Sequence, residues 1–291
     1  MKDGQLRFGA IEAGGTKFVL ATGASADAIE ARHTIATRSP DETLAEARDW
    51  FRRHGQLDAL GIATFGPAVV DPAAEGWGSI GATPKAGWSG CDIAGYFRDS
   101  LAVPVGFDTD VNGAALAESR LGAGAGKGSL AYVTVGTGIG GGLVIGGTPV
   151  HGAGHPEMGH IFPRRAAGDT EFAGICPVHG DCLEGLASGP AIHSRWGKSL
   201  SDLDPGHEAH GIEADYLAQL CHAICAMTSV EVIVLGGGVL GTPGLLGKVR
   251  ARAAELDRDY FPGGARRAIA APALGTDSGL IGAMLLAETA L

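Results

Sequence analysis

Several features that would place this chain in a specialised class are missing. No apolar run reaches the ~18 residues that a membrane-spanning helix needs, so no membrane partner is expected. Cationic side chains are in deficit, 22 Lys and Arg against 32 Asp and Glu. A net charge of −10 argues against a general nucleic-acid binder, whose affinity rests on clustered Lys and Arg. The cysteines number five, an odd count, and predict no disulfide framework. The opening MKDGQLRFGAIEAGG enters an apolar strand pattern at once and carries neither a signal-peptide core nor a cleavage site, which predicts a cytoplasmic protein.

Glycine, by contrast, is abundant. The 49 glycines follow no collagen-like period, so many turns must need a positive φ or a close approach. A chain of 291 residues that is 45% hydrophobic and 19% charged can bury real cores, as one large domain or two ordinary ones.

Two stretches share one architecture. LRFGAIEAGGTKFVLAT (Leu6 to Thr22) is two short strand-like runs around Gly14, Gly15 and Thr16. LAYVTVGTGIGGGLVI (Leu130 to Ile145) repeats it around Thr137, and the Gly136-x-Gly138-x-Gly140 spacing leads into more strand, not into the helix that a Rossmann fingerprint would open. A pair of glycine-turn hairpins, one opening each half, suggests an internal duplication and two phosphate grips suited to ATP. Between them, Ser39-Pro40-Asp41-Glu42 reads as a capping box, and Leu44, Ala47 and Phe51 follow at helical spacing. Leu57 to Thr64 and Val103 to Phe107 read as buried strands, with helices from Ile93 to Leu101 and from Asn112 to Leu121. Asp108 and Asp110 fall where strand meets helix, which is where open α/β sheets gather ligands; helix capping by Asp110 is the plainer alternative. Gly122 to Ser129 fails the P-loop pattern at its first glycine and after Lys127, and is expected to be a flexible connection. Farther on, a long helix is expected within Gly206 to Val230, with Tyr216, Leu217, Leu220, Ile224 and Met227 on one face, then a buried strand from Val232 to Leu235 that delivers three glycines.

The most distinctive stretch is His155 to Glu184, HPEMGHIFPRRAAGDTEFAGICPVHGDCLE. Cys176, His179 and Cys182 stand at Cys-x-x-His-x-x-Cys spacing, with a Glu-x-Gly-His (Glu157, Gly159, His160) upstream. Three soft ligands at fixed spacing, with a fourth nearby, suggest a tetrahedral zinc site.

Taken together, EAGGTKF, TPKAGW, FDTDVNGAALAE, VTVGTGIGGG, HPEMGH, CPVHGDCLEG, LASGPAI and VLGGGV resemble the ROK family of sugar kinases, and within it the bacterial fructokinases. Glu12, where most members carry Asp, and a His in the middle of the cluster are spellings of that subgroup. The resemblance implies an α/β, two-lobed, actin-like and hexokinase-like ATPase fold built from duplicated ribonuclease H-like domains. A small lobe of residues 1–112 and a large one of 113–278 would follow, with the last helix (about 279–291) crossing back to the small lobe. It implies ATP-dependent phosphorylation of a hexose, foremost fructose to fructose 6-phosphate, with MgATP as co-substrate and Asp110 as the base. Asn112, Glu157, His160, Glu184, Thr83 and Pro84 would hold the sugar. Gly14, Thr16, Lys17, Thr137, Pro190, Gly236, Gly237, Gly238, Val239 and Leu240 would hold the nucleotide.

For the metal, the family pattern favours His160 over His155 as fourth ligand beside Cys176, His179 and Cys182. Four protein ligands leave no open position for water, so the zinc would be structural. A homodimer is implied as well. Rival readings are a kinase of the same fold acting on glucose, mannose or an N-acetyl amino sugar, a non-catalytic sugar sensor, and a repressor. The repressor would need a helix-turn-helix ahead of the first hairpin, where the strand is expected from Leu6.

Overall fold

The computed structural model describes residues 6–264 and 267–291; the leader-free reading of Met1 to Gln5 lies outside them. The chain folds into two compact units. One comprises residues 1–117, 149–156 and 276–291, and the other 118–148 and 157–275.

In the first unit, β1 (Phe8–Ala13) turns through Gly14 to Thr16 into antiparallel β2 (Lys17–Ser25), as the glycine-turn pattern predicts. A third strand, β3 (Ala28–Ala36), extends the meander, and β4 (Ala59–Thr64) and β5 (Val105–Thr109) add parallel to β1. The sheet order is β3-β2-β1-β4-β5. Helix α1 (Pro40–Arg53) starts at the expected capping box, where the Glu42 carboxylate accepts the Ser39 hydroxyl at 2.6 Å. With α2 (Ile93–Leu101) it covers a core of Phe18, Phe51, Trp88 and Phe97. The last helix, α8 (Ser278–Glu288), lies in this unit against β4 and β5. Glycine is required on that side, because a Cβ on Gly61 would stand 1.8 Å from the Ala283 carbonyl oxygen of α8.

Helix α3 (Asp110–Leu121) begins two residues earlier than the sequence pattern places it. In the second unit, β6 (Ser129–Val135) and β7 (Ile139–Ile145) form the second hairpin, followed by the short β8 (Thr148–Pro149), β9 (Val232–Gly236) and β10 (Ala268–Ala270). The order β8-β7-β6-β9-β10 reproduces that of the first sheet, strand for strand, with parallel pairing again on the far side of the first strand. Duplication is therefore visible in topology, where the sequence shows only the paired hairpins.

Two further readings change. Helix α6 (Ala209–Thr228) buries Tyr216, Leu217, Leu220 and Ile224, but Met227 is 71% exposed, because the last turn runs past its packing partners. The supposed flexible connection after Leu121 is a run of turns held by Glu118, whose buried carboxylate accepts N–H groups of Ala123, Ala273 and Leu274 at 2.8, 3.1 and 2.9 Å. Helices α4 (Leu183–Ala187), α5 (Gly189–Trp196) and α7 (Leu245–Asp257) complete the unit. No described helix is long and apolar enough to cross a membrane.

One acid on α6 stands apart. Glu213 is fully buried, and neither carboxylate oxygen has a hydrogen-bond partner among the described residues. Burial pushes its carboxyl well above the usual carboxylate range. The folded-state pKa thus exceeds the unfolded one, so stability is fullest at low pH and is lost as pH rises through the folded pKa. Glu213→Gln removes the charge and keeps the shape. It is expected to raise the melting temperature at pH 8 and to change it less and less towards pH 4.5, as thermal melts of both proteins across that range would read.

Candidate active site

In the first unit the polar side chains cluster at the carboxyl ends of β4 and β5, where a sheet of this kind exposes its ligand-binding edge. Thr109 caps α3, its hydroxyl oxygen accepting the Asn112 N–H at 3.2 Å. That relieves Asp110 of the capping role: its Oδ1 takes the adjacent Val111 N–H, at 2.9 Å. Loss of hydration is the main force on the Asp110 carboxyl; the Val111 N–H pulls its pKa down, and the Glu12 carboxylate pushes it up. The outcome is a pKa of about 7. Glu12 at the end of β1 is itself raised by burial, with Lys17 opposing. A carboxyl poised near neutrality is suited to take a proton from an alcohol.

Beside it, Asp108 and Asn112 are almost wholly buried. Asp108 Oδ1 accepts the Asn112 amide at 2.7 Å and the Thr109 N–H at 2.7 Å. Asp108 Oδ2 meets His151 Nε2 at 2.9 Å.

The Gly14 to Lys17 turn closes with a Gly14 N–H to Lys17 carbonyl bond of 2.9 Å and leaves Gly15, Thr16 and Lys17 exposed at its tip. Thr37 braces it from the end of β3, donating its hydroxyl to the Gly14 carbonyl (2.8 Å) and its N–H to the Thr16 carbonyl (2.9 Å). Lys85 donates to the Gly15 carbonyl. Thr83 and Pro84 are in the same loop as Lys85, which Ser89 closes by donating its hydroxyl to the Thr83 carbonyl at 2.9 Å. Its anchor is Trp88, fully buried against Phe18 and Phe65, with the indole N–H on the Arg38 carbonyl at 2.9 Å.

In the second unit the structure brings His160, Cys176, His179 and Cys182 together, with all four ligand atoms within 4.8 Å of one another. His160 Nδ1 is 3.3 Å from His179 Nδ1, 3.4 Å from Cys182 Sγ and 4.0 Å from Cys176 Sγ. Tetrahedral Zn²⁺ with Zn–N of about 2.0–2.1 Å and Zn–S of about 2.3 Å has edges of roughly 3.3 to 3.8 Å; the two shorter separations are of that size, and two imidazoles with two thiols are a donor set that suits that ion. A tight turn makes the Cys-x-x-His spacing work: Cys176 and Gly180 exchange backbone hydrogen bonds of 3.1 and 2.9 Å, and the His179 N–H points to Cys176 Sγ at 3.4 Å. His155 is engaged elsewhere, its Nε2 accepting the Ala68 N–H at 3.2 Å in the first unit.

Glu157 lies 3.9 Å from His160 Nε2, on the ring edge away from Nδ1, which faces Cys182 and His179. Gly159 between them is needed for fit, since a Cβ there would stand 1.9 Å from the Ile139 carbonyl oxygen of β7. Glu184 has one oxygen on the Ile139 N–H at 2.9 Å, which ties α4 to the second glycine turn.

A cavity of about 550 Å³ opens at that turn, lined by Gly136, Thr137, Gly189, Pro190, Gly238 and Val239 among others. Its size is that of a small-molecule pocket. The Gly189 N–H bonds the Gly136 carbonyl at 2.8 Å, which seats α5 on the hairpin. Gly236 and Gly237 back onto Tyr132 and Val135 of β6, so among the three glycines only Gly238 lines the cavity, and Leu240 lies outside the lining. Ser199 and Ser201, which no motif flags, line it too.

Two sheets of one strand order, each opened by a glycine-turn hairpin, with a poised carboxyl beyond β5 of the first, make this an actin-like, hexokinase-like ATPase fold. The chain belongs to the ROK family, which it matches over residues 8–290. It is 44% identical over 298 aligned residues to the fructokinase of Zymomonas mobilis, covering 100% of this chain and 99% of that one. It is 39% identical to the fructokinase of Pediococcus pentosaceus, over 97% of this chain and 98% of that one. Among solved structures, the ROK hexokinase of Thermus thermophilus superposes with a TM-score of 0.81 at 26% identity, covering 98% of each chain.

Proposed function

We propose that this protein is an ATP-dependent fructokinase that transfers the γ-phosphoryl group of MgATP to fructose, giving fructose 6-phosphate. The observation that carries the proposal is the Asp110 carboxyl: poorly hydrated, freed from helix capping, and raised to about 7. A sugar hydroxyl is a poor nucleophile, and a carboxylate within reach takes its proton as the phosphoryl group arrives. Similarity to fructokinases over the whole chain supports fructose as the substrate.

Asn112 takes a sugar hydroxyl, with Thr83 and Pro84 in the Trp88-anchored loop as further contacts. Glu157, His160 and the second oxygen of Glu184 are assigned to the sugar by the resemblance to the family. Gly14, with Thr16 and Lys17 at the exposed tip of the first hairpin, is assigned to the phosphates. Thr137, Pro190, Gly238 and Val239 are assigned to the nucleotide through the cavity they line, with Gly236 and Gly237 supporting it from behind and Leu240 following.

Zinc on His160, Cys176, His179 and Cys182 has a structural part, holding the segment that carries Glu157. A homodimeric assembly belongs to the same proposal and rests on the resemblance to the family. The direct test is ADP release in a coupled assay. Release should depend on fructose, on ATP and on Mg²⁺, and a rate independent of added sugar would refute the kinase assignment.

A further inference from the structure

The Asp108–Asn112–His151 cluster shows how the Asn112 amide is held. Asn112 is fully buried, its Nδ2 is committed to Asp108, and its Oδ1 has no hydrogen-bond partner among the described residues. A buried acceptor in that state calls for a donor that the described residues do not supply, from a ligand or an ordered water. The orientation of the amide is set by its neighbour. An ionised carboxylate only accepts, so Asp108 selects the NH₂ side of Asn112 and leaves the carbonyl oxygen for the ligand.

Asp108 is itself buried, 2% exposed, and would be an uncompensated charge without a partner. The partner is His151, whose Nε2 lies 2.9 Å from Asp108 Oδ2 and 3.3 Å from Asn112 Nδ2. The Asp108 hydrogen bond raises the pKa of the imidazole, against the lowering effect of burial, and Asp71 adds to the rise. His151 belongs to residues 149–156, an eight-residue return of the chain to the first unit, and His155 fixes the same return by accepting the Ala68 N–H.

We propose that Asp108 and His151 are a positioning pair for sugar binding: His151 holds Asp108, and Asp108 fixes the Asn112 amide so that Oδ1 accepts a hydrogen bond from a sugar hydroxyl. This rests on the hexose-kinase reading above. Neither residue touches the reacting atoms. A hydroxyl in the wrong place, or none, leaves Oδ1 buried and unpaired, so the pair also contributes to discrimination between sugars.

The test compares His151→Ala and His151→Gln with the unaltered protein, using calorimetric titration of fructose without ATP and steady-state kinetics. His151→Ala should weaken fructose binding and raise the fructose KM by about 10-fold, with the ATP KM within about twofold of normal. His151→Gln, whose amide can still donate to Asp108, should recover to within about threefold of the unaltered protein, and it keeps the test open if the alanine variant does not fold. Unchanged fructose affinity in His151→Ala would overturn the inference and leave the kinase reading standing. So would parallel loss of fructose and ATP affinity, which marks a merely structural role, or a glutamine variant as weak as a folded alanine one. An unaltered protein that neither binds nor phosphorylates a hexose would remove the functional reading and this inference together.

Discussion

Asp110→Asn is expected to lower turnover with fructose by about 10³-fold, within the ~10²–10⁴ range of a positioned general base, while fructose still binds. Asparagine keeps the shape of the side chain and its hydrogen bond from the Val111 N–H, but it cannot take the proton. The pH profile distinguishes loss of the base from loss of shape. With the Asp110 pKa at about 7, kcat/KM of the unaltered protein should rise with pH, bend near 7 and level off above it. The variant's residual activity should lack that bend.

Stability should move the other way. The carboxyl is raised from an ordinary 3.8 to about 7, so its contribution is fullest below pH 3.8 and lost as pH rises through 7. At pH 8 the ionised group is a net cost to the fold. The asparagine variant should therefore melt no lower than the parent, although it is nearly inactive. Rate assays from pH 5.5 to 9, with melts at pH 8, check both statements; near-normal turnover in the variant would exclude Asp110 as the base.

Cys176→Ser is expected to have the largest effect on stability. The proposed metal ties His160 and the Cys176–Gly180 turn to the buried start of α4, and the first two have exposed apolar neighbours: Phe162 and Val178 are 67% and 78% exposed. Metal binding at such sites is folding free energy, and losing even ~4 kcal/mol of it lowers the melting temperature by roughly 10 °C in a chain of this size. Elemental analysis should find about one zinc per chain in the parent and far less in the variant. The fructose KM should rise as well, because Glu157 loses the fixed His160 beside it. Full zinc content in the variant would refute the four-residue ligand set.

Much of this is legible in the residues, and the limits have physical causes. The two hairpins are visible because strand alternation breaks at glycine turns, and the Cys/His cluster because its spacing is local. Strand order is not visible, since pairing β1 with β4 depends on residues far apart in sequence. β3 escapes notice because it is an edge strand with Ile35 as its one buried residue. α7 buries only Leu245 and Val249, too little for a periodic signal.

Among polar residues, Lys85 and His151 cannot be assigned from their surroundings in the sequence. Each acts on a partner far along the chain, Gly15 and Asp108 respectively, and neither falls in a spaced motif of titratable groups. Whether Asp110 caps α3 is settled only by the fold, which shows Thr109 doing the capping. Local spacing leaves the fourth member of the metal cluster open between His155 and His160; the Ala68 N–H on His155 shows where that ring is used instead.

The central claim, that Asp110 and the polar groups around it serve phosphoryl transfer to fructose, is tested most directly by competition. The protein is incubated with limiting MgATP and equal amounts of fructose, glucose, mannose and N-acetylmannosamine, and the sugar phosphates are identified by NMR. The account predicts fructose 6-phosphate as the dominant product, absent when Asp110→Asn replaces the parent. A different hexose phosphate as the main product, or ATP left intact beside all four sugars, would contradict it.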